Sequence, residues 1–205
     1  MTESANFGIK KFMEPIILAS ASPRRQDFFR LLGLPFTCTP AEIDETPSPG
    51  LSPRQVAEDL ARRKTRTVVE KQPAAPWVFG ADTIVVLDGA IIGKPADRNA
   101  AEDMLKRLSE RRHEVITAMA LYNGRWGDID CRSASCEVAF APLSDAEIAW
   151  YLDTGEWEGV AGSYRLQGLG ACFISSINGS PSAVAGLSLH DFYVMLRDNG
   201  YRFGA

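Results

Sequence analysis

Trp77-Val78-Phe79-Gly80-Ala81-Asp82-Thr83-Ile84-Val85-Val86-Leu87-Asp88-Gly89-Ala90-Ile91-Ile92-Gly93 decides the fold. Through Leu87 it reads as an apolar strand, Asp88-Gly89 as a hairpin turn, and Ala90 to Gly93 as the returning strand. Working outward, a short apolar strand from Pro15 to Ser20 leads to a helix from Pro23 to Leu32 closed by Gly33. Ser52-Pro53-Arg54-Gln55 has the form of a capping box with Pro at the first helical position, and it opens a helix to about Lys71. Downstream, a helix from about Arg98 to Glu110 places Ala101, Met104, Leu105 and Leu108 on one face. His113 to Tyr122 is a strand, Asn123-Gly124 a turn, and a second hairpin arm runs through Cys136 to Phe140. Ser144-Asp145-Ala146-Glu147 caps a helix ending near Gly155. A strand around Ala171 to Ile177 and a helix from about Leu189 to Asn199 complete the pattern. Hairpins interleaved with helices imply an α/β fold with a mixed sheet flanked by helices, not a purely parallel one.

The chain has 205 residues, enough for one core or two intimate lobes. Lys and Arg number 22 against 26 Asp and Glu, a net charge of −4, so no overall field favours a nucleic acid polymer. No apolar run approaches the roughly 18 residues that cross a membrane. Lys10 and Lys11 precede an apolar stretch ending in Ala19-Ser20-Ala21, a faint leader pattern that Glu14 and Pro15 interrupt. Cys38, Cys131, Cys136 and Cys172 form no CxxC pair, which argues for idle or buried thiols in a cytoplasmic protein. His113 and His190 are too few for a His-rich metal site. The linker-like segment Thr46 to Pro53 is too short to separate domains, and residues 1–14 read as a loose extension to a single domain over 15–205.

Several side chains stand out against this background. In Ser20-Ala21-Ser22-Pro23-Arg24-Arg25, Ser22 would cap a helix whose first turn carries two arginines. Cations there oppose the helix dipole at about 0.3–1 kcal/mol each, and an anion explains them best. The alternative is a pair of solvated arginines. Asp82 places one carboxylate inside an apolar run, where it needs a metal, a cation or a cleft, or else is a hydrogen-bonded structural residue. Val56, Leu60, Lys64 and Val68 share one helical stripe, so Lys64 snorkels or meets an anion at the edge of the core. Lys94 sits where the chain must turn, in Gly93-Lys94-Pro95, and Gln167 lies in a glycine-rich loop with the paired donor and acceptor of a base reader. Arg24, Arg25, Lys64 and Lys94 together would neutralise a polyphosphate, while Asp82 and the Asp44-Glu45 pair would hold Mg²⁺ or activate water.

These elements, in order, resemble the Maf family of nucleoside triphosphate pyrophosphatases over nearly the whole chain from Ile16 to about Leu196. The resemblance rests on Leu18 to Arg25, Asp44-Glu45, Leu60-Ala61 with Lys64, Gly80 to Val85, Gly93-Lys94-Pro95, Leu108-Ser109, His113 to Ala118, Ala161 to Tyr164 with Leu166-Gln167-Gly168, and Val184 to Leu187. It implies a two-lobed mixed α/β fold around a central cleft, akin to inosine triphosphatases, and hydrolysis of a nucleoside triphosphate to monophosphate and pyrophosphate with Mg²⁺ or Mn²⁺. It implies Asp82 as proton acceptor, metal ligand or both, with Glu45 helping to hold the metal. Arg24, Thr83 and Gln167 match positions that distinguish the dTTP/UTP type from the 7-methyl-GTP type. Ser22, Arg25, Lys64 and Lys94 match phosphate-side residues, and a homodimer is a family-level expectation. The alternatives are the 7-methyl-GTP type, a regulator of septum formation that binds nucleotides without needing turnover, and a pyrophosphatase of the inosine triphosphate type, which the Ser-Pro-Arg-Arg element disfavours. Glu110 stands where the family usually has glycine, Arg165 where a small residue is common, Ser180-Pro181-Ser182 where an acidic or aromatic segment is frequent, and Ser188 where proline is usual.

Overall fold

The structure, a computed structural model, describes residues 13–204. In chain order it contains β1 (Ile16–Leu18), α1 (Pro23–Leu31), β2 (Phe36–Cys38), α2 (Pro53–Lys71), β3 (Trp77–Leu87), β4 (Ala90–Ile92), α3 (Arg98–Leu108), β5 (Arg112–Asn123), β6 (Asp128–Phe140), α4 (Asp145–Asp153), β7 (Ile174–Asn178), α5 (Pro181–Val184) and α6 (Leu189–Asp198). The strands form one seven-stranded sheet in the order β2-β1-β3-β5-β6-β7, with β4 also paired to β3. β1 runs parallel to β2 and β3, and the other pairings are antiparallel, so the sheet is mixed as expected.

β3 organises the molecule. Along one edge it pairs with β5 from Trp77 to Val86. Along the other it meets β1 only at Val78 and Phe79, and β4 only from Val85 to Leu87. Residues 80–84 between them have no strand beside them on that edge. A crevice opens there, at the carboxyl end of β1 where the chain leaves the sheet for α1, the place where open α/β sheets bind ligands.

The two faces of β3 differ because side chains alternate. Trp77, Phe79 and Ala81 belong to one apolar cluster with Phe29, Phe192 and Leu196, while Val85 and Leu87 belong to another with Leu105, Phe140 and Tyr151. Thr83 lies on the seam between these two cores, which are the two lobes. On the opposite face Ile84 and Val86 pack with Ala57 and Ala61 of α2. Gly80 lets α2 come close: a Cβ there would stand 2.4 Å from Thr65 Oγ1 and 3.0 Å from the Ala61 carbonyl oxygen. That close approach brings Lys64, one residue before Thr65, to Asp82.

The Asp88-Gly89 turn has φ of 52° and 77°, the left-handed pair that a two-residue hairpin demands. Both capping boxes form, at Ser52 with Gln55 and at Ser144 with Glu147. Other details depart from the sequence reading. β2 was not anticipated: three half-exposed edge residues carry too little alternation to signal a strand. The expected strand at Ala171 begins instead at Ile174, after a 3-10 turn over Leu169–Phe173. Asn123 is not a turn residue. It pairs with Asp128 in the ladder, its buried side chain binds the Asn199 carbonyl, and Gly127 with φ of 69° supplies the turn. Glu110 has φ of 57°, a conformation that glycine adopts without steric cost, which accounts physically for the glycine usual there. The extension also ends earlier than expected. Met13 packs in the first core and Glu14 accepts the Trp77 indole N–H at 2.7 Å. Residues 1–12, with Lys10 and Lys11 of the leader-like pattern, lie outside the described residues.

Candidate active site

The crevice beside β3 is a cleft of about 590 Å³, and Ser22, Arg24, Arg25, Glu45, Lys64, Asp82, Thr83, Lys94 and Gln167 all line it. The sequence reading therefore named a set of residues that the fold brings to one place. A second depression near Arg54, Asp88 and Glu114 is more open and contains none of them.

On the α2 side, Lys64 Nζ lies 2.6 Å from Asp82 Oδ1 and 2.6 Å from Glu45 Oε1. Glu45 Oε2 in turn takes a 3.0 Å contact from Lys94. The Lys64 and Asp82 side chains are only 12% and 11% exposed, so this pair is desolvated while Lys94 is not. Burial pushes the Glu45 carboxyl up, but hydrogen bonds and charge from the two lysines outweigh it and bring it down to about 2. The second Asp82 oxygen has no hydrogen-bond partner among the described residues. Asp44 does not join this cluster: it accepts the Thr46 N–H at 2.9 Å, and only Glu45 of the acidic pair faces the cleft.

On the α1 side, Ser22 occupies the N-cap position but its side chain makes no cap bond, and its own N–H donates to Ser20 Oγ at 3.1 Å. The first-turn N–H groups of Arg24 and Arg25 are consequently without a protein acceptor among the described residues. Arg25 differs from the expected open phosphate ligand. Its Nε donates to the Gly186 carbonyl at 3.0 Å, Nη1 to Ser20 at 3.3 Å and Nη2 to Thr83 at 3.2 Å, so it joins three distant segments with two donors left over. Thr83 Oγ1 is 2.8 Å from Thr117 Oγ1, and Thr117 donates to the Ala183 carbonyl at 2.7 Å. With the Thr117 proton committed, Thr83 must donate to Thr117, which orders the chain Arg25 to Thr83 to Thr117 to Ala183. Thr83 thus accepts from the Arg25 guanidinium and spends its own proton on Thr117. Arg24 has no hydrogen-bond partner among the described residues. Burial and the charge of Arg165 both lower its pKa. Gln167 is exposed at the mouth, in the loop between 3-10 turns at Ala161–Ser163 and Leu169–Phe173, with its amide free of protein partners among the described residues.

Sequence reasoning missed the supporting residues Ser20 and Thr117. Thr117 carried a signal, a hydroxyl at a fully buried position of an apolar strand, which must find a partner. Among the described residues no group of three or more His, Cys, Asp or Glu is placed to hold a metal. The oxygens of Asp82 and Glu45 converge on Lys64 Nζ, and the second Glu45 oxygen is taken by Lys94, so the free oxygen of Asp82 is the hard donor open to a cation such as Mg²⁺. The four cysteines are unpaired; Cys136 is buried, but Cys38 and Cys172 are exposed. No helix of the described residues is long and apolar enough to cross a membrane.

The model of the Maf-like protein family matches residues 15–199. The chain belongs to this family. A dTTP/UTP pyrophosphatase of Symbiobacterium thermophilum is 47% identical over 92% of this chain and 96% of its own length. Those of Rhodospirillum rubrum and Escherichia coli O157:H7 are 44% and 42% identical, over 93% and 90% of this chain and 90% and 92% of their own lengths. Among solved structures, a nucleoside-triphosphatase / dITP/XTP pyrophosphatase of Mycobacterium abscessus aligns with a TM-score of 0.44 at 16% identity, covering 90% of this chain and 97% of that one.

Proposed function

We propose that this Maf-family chain is a nucleoside triphosphate pyrophosphatase that hydrolyses dTTP and UTP to the monophosphate and pyrophosphate. The observation that carries the reading is the cleft itself: a desolvated Asp82 held by Lys64 faces, across one opening, a helix N-terminus with uncommitted N–H groups and an unpaired arginine. A carboxylate aimed at water and a cradle for phosphates are the two requirements of this hydrolysis. The relatives named dTTP/UTP pyrophosphatase support the substrate class.

Asp82 accepts the proton of a water that attacks the α-phosphorus as the bond to the bridging oxygen of the pyrophosphate breaks. Lys64 holds Asp82 in place through one oxygen, leaving its second oxygen for that proton. Asp82 and Glu45 would also hold Mg²⁺ or Mn²⁺, which when bound supplies charge neutralisation at the phosphates. Arg24, the first-turn N–H groups beside Ser22, Lys64 and Lys94 stabilise the departing pyrophosphate, and Arg25 adds charge from a position fixed by Thr83. Gln167 presents a donor and an acceptor, matching the N3–H and carbonyl edge of uracil or thymine. The resemblance adds a cytoplasmic homodimer to the reading.

Pyrophosphate release from a panel of ordinary and modified nucleoside triphosphates, with Mg²⁺ or Mn²⁺, tests the function. Preference for dTTP and UTP is expected; preference for 7-methyl-GTP would overturn the substrate assignment, and absence of release with any nucleotide would overturn the enzyme.

A further inference from the structure

Arg165 is the residue of the cleft that the Maf pattern does not explain, since a small side chain is common at its position. Its guanidinium is anchored but unsatisfied: Nη2 donates to the Glu158 carbonyl at 3.1 Å, while Nε is buried without any partner among the described residues. It lines the same cleft as Arg24 from the loop between the two 3-10 turns, and its charge is felt by Arg24. Neither arginine has a carboxylate partner among the described salt bridges. The Glu156 carboxylate of the same loop is turned to the Leu169 N–H at 2.8 Å. Two unpaired guanidinium groups held near each other in a partly desolvated cleft repel, and a neutral base relieves little of that repulsion. A phosphate group bridging them relieves it, because guanidinium forks match phosphate oxygens.

We propose that Arg165 and Arg24 form a two-sided clamp on the terminal phosphates of the nucleotide, so that Arg165 is a substrate-binding residue particular to this chain. The clamp rests on the pyrophosphatase reading above and deepens it. It binds the triphosphate before reaction and the pyrophosphate after it, and contributes nothing to the hold on the nucleoside monophosphate.

The test uses the full chain and its variants Arg165→Gly and Arg165→Met, the latter retaining the aliphatic stem if the former fails to fold. Steady-state hydrolysis of UTP with Mg²⁺ gives KM and kcat, and inhibition by inorganic pyrophosphate and by UMP is measured separately. The clamp predicts that KM for UTP and the inhibition constant of pyrophosphate rise together, by about tenfold, the cost of losing one charged hydrogen bond. kcat and inhibition by UMP stay within about twofold, and Arg165→Lys recovers part of the loss. An unchanged pyrophosphate constant in a folded variant overturns the clamp, as does a change confined to UMP inhibition or to the preference for UTP over CTP. A wild-type protein that binds pyrophosphate through Arg165 yet hydrolyses no nucleotide would instead overturn the pyrophosphatase reading and leave the clamp standing.

Discussion

Along the α2 wall of the cleft each cation has a carboxylate within reach, Lys64 and Lys94 against Asp82 and Glu45, whereas Arg24 and Arg165 on the facing side have none. The first wall is close to neutral and keeps its geometry without a ligand, because each charge orients its neighbour. The second is cationic and gains from any anion that enters. The difference assigns work within one opening: the paired wall is suited to chemistry, where a carboxylate must be fixed and ionised, and the unpaired wall to binding, where positive charge must be uncommitted. It also explains how an acidic chain of net charge −4 handles a polyanion, since the surplus of carboxylates lies elsewhere on its surface.

The largest effect that separates the walls comes from Asp82→Asn, which keeps the shape and removes the proton acceptor. kcat should fall by about 10³-fold or more, with the circular dichroism spectrum unchanged. Turnover near that of the wild type would break the assignment of chemistry to the paired wall. Lys64→Met comes next. It leaves Asp82 and Glu45 facing each other without their shared cation, and loss of a partner from a largely buried pair costs about 3 kcal/mol. Because protonating one carboxylate relieves the repulsion, the deficit relative to wild type should shrink between pH 7.5 and pH 4.5 in urea unfolding curves. A deficit independent of pH would mean that Lys64 acts only by packing.

Much of this site was legible before any coordinates. An aspartate inside an apolar strand, a lysine in an apolar helical stripe and arginines in a first helical turn each violate a local rule, and violations of that kind concentrate where ligands or partners repay them. Patterning located α2, β3 and α6 because those segments run long enough for periodicity to speak. It failed for β2, three residues on a sheet edge, and for the start of β7, where a 3-10 turn shares the composition of a strand. It could not tell Arg24 from Arg25. Nothing in Ser-Pro-Arg-Arg says which arginine is free of partners and which is held by Gly186, Ser20 and Thr83, partners as many as 161 positions away in the sequence. Such a distinction arises only from the crossing of distant segments.

The unpaired wall has its own support, and acid should weaken it. Tyr164, the neighbour of Arg165, shares a 2.8 Å hydrogen bond with His113 Nε2, and the two rings pack edge to face with Phe140. Burial lowers the His113 pKa from 6.5 to about 4, so the folded protein holds this imidazole neutral while the unfolded chain protonates it. The stabilisation is therefore complete above pH 6.5 and is lost as pH falls toward 4, to a limit of about 3 kcal/mol set by the gap between the two values. His113→Gln preserves a hydrogen-bonding group for Tyr164 but cannot titrate. Between pH 7 and pH 4 the wild type should lose up to about 3 kcal/mol more than this variant in urea unfolding. Equal acid sensitivity of the two proteins would place the titration elsewhere than at His113.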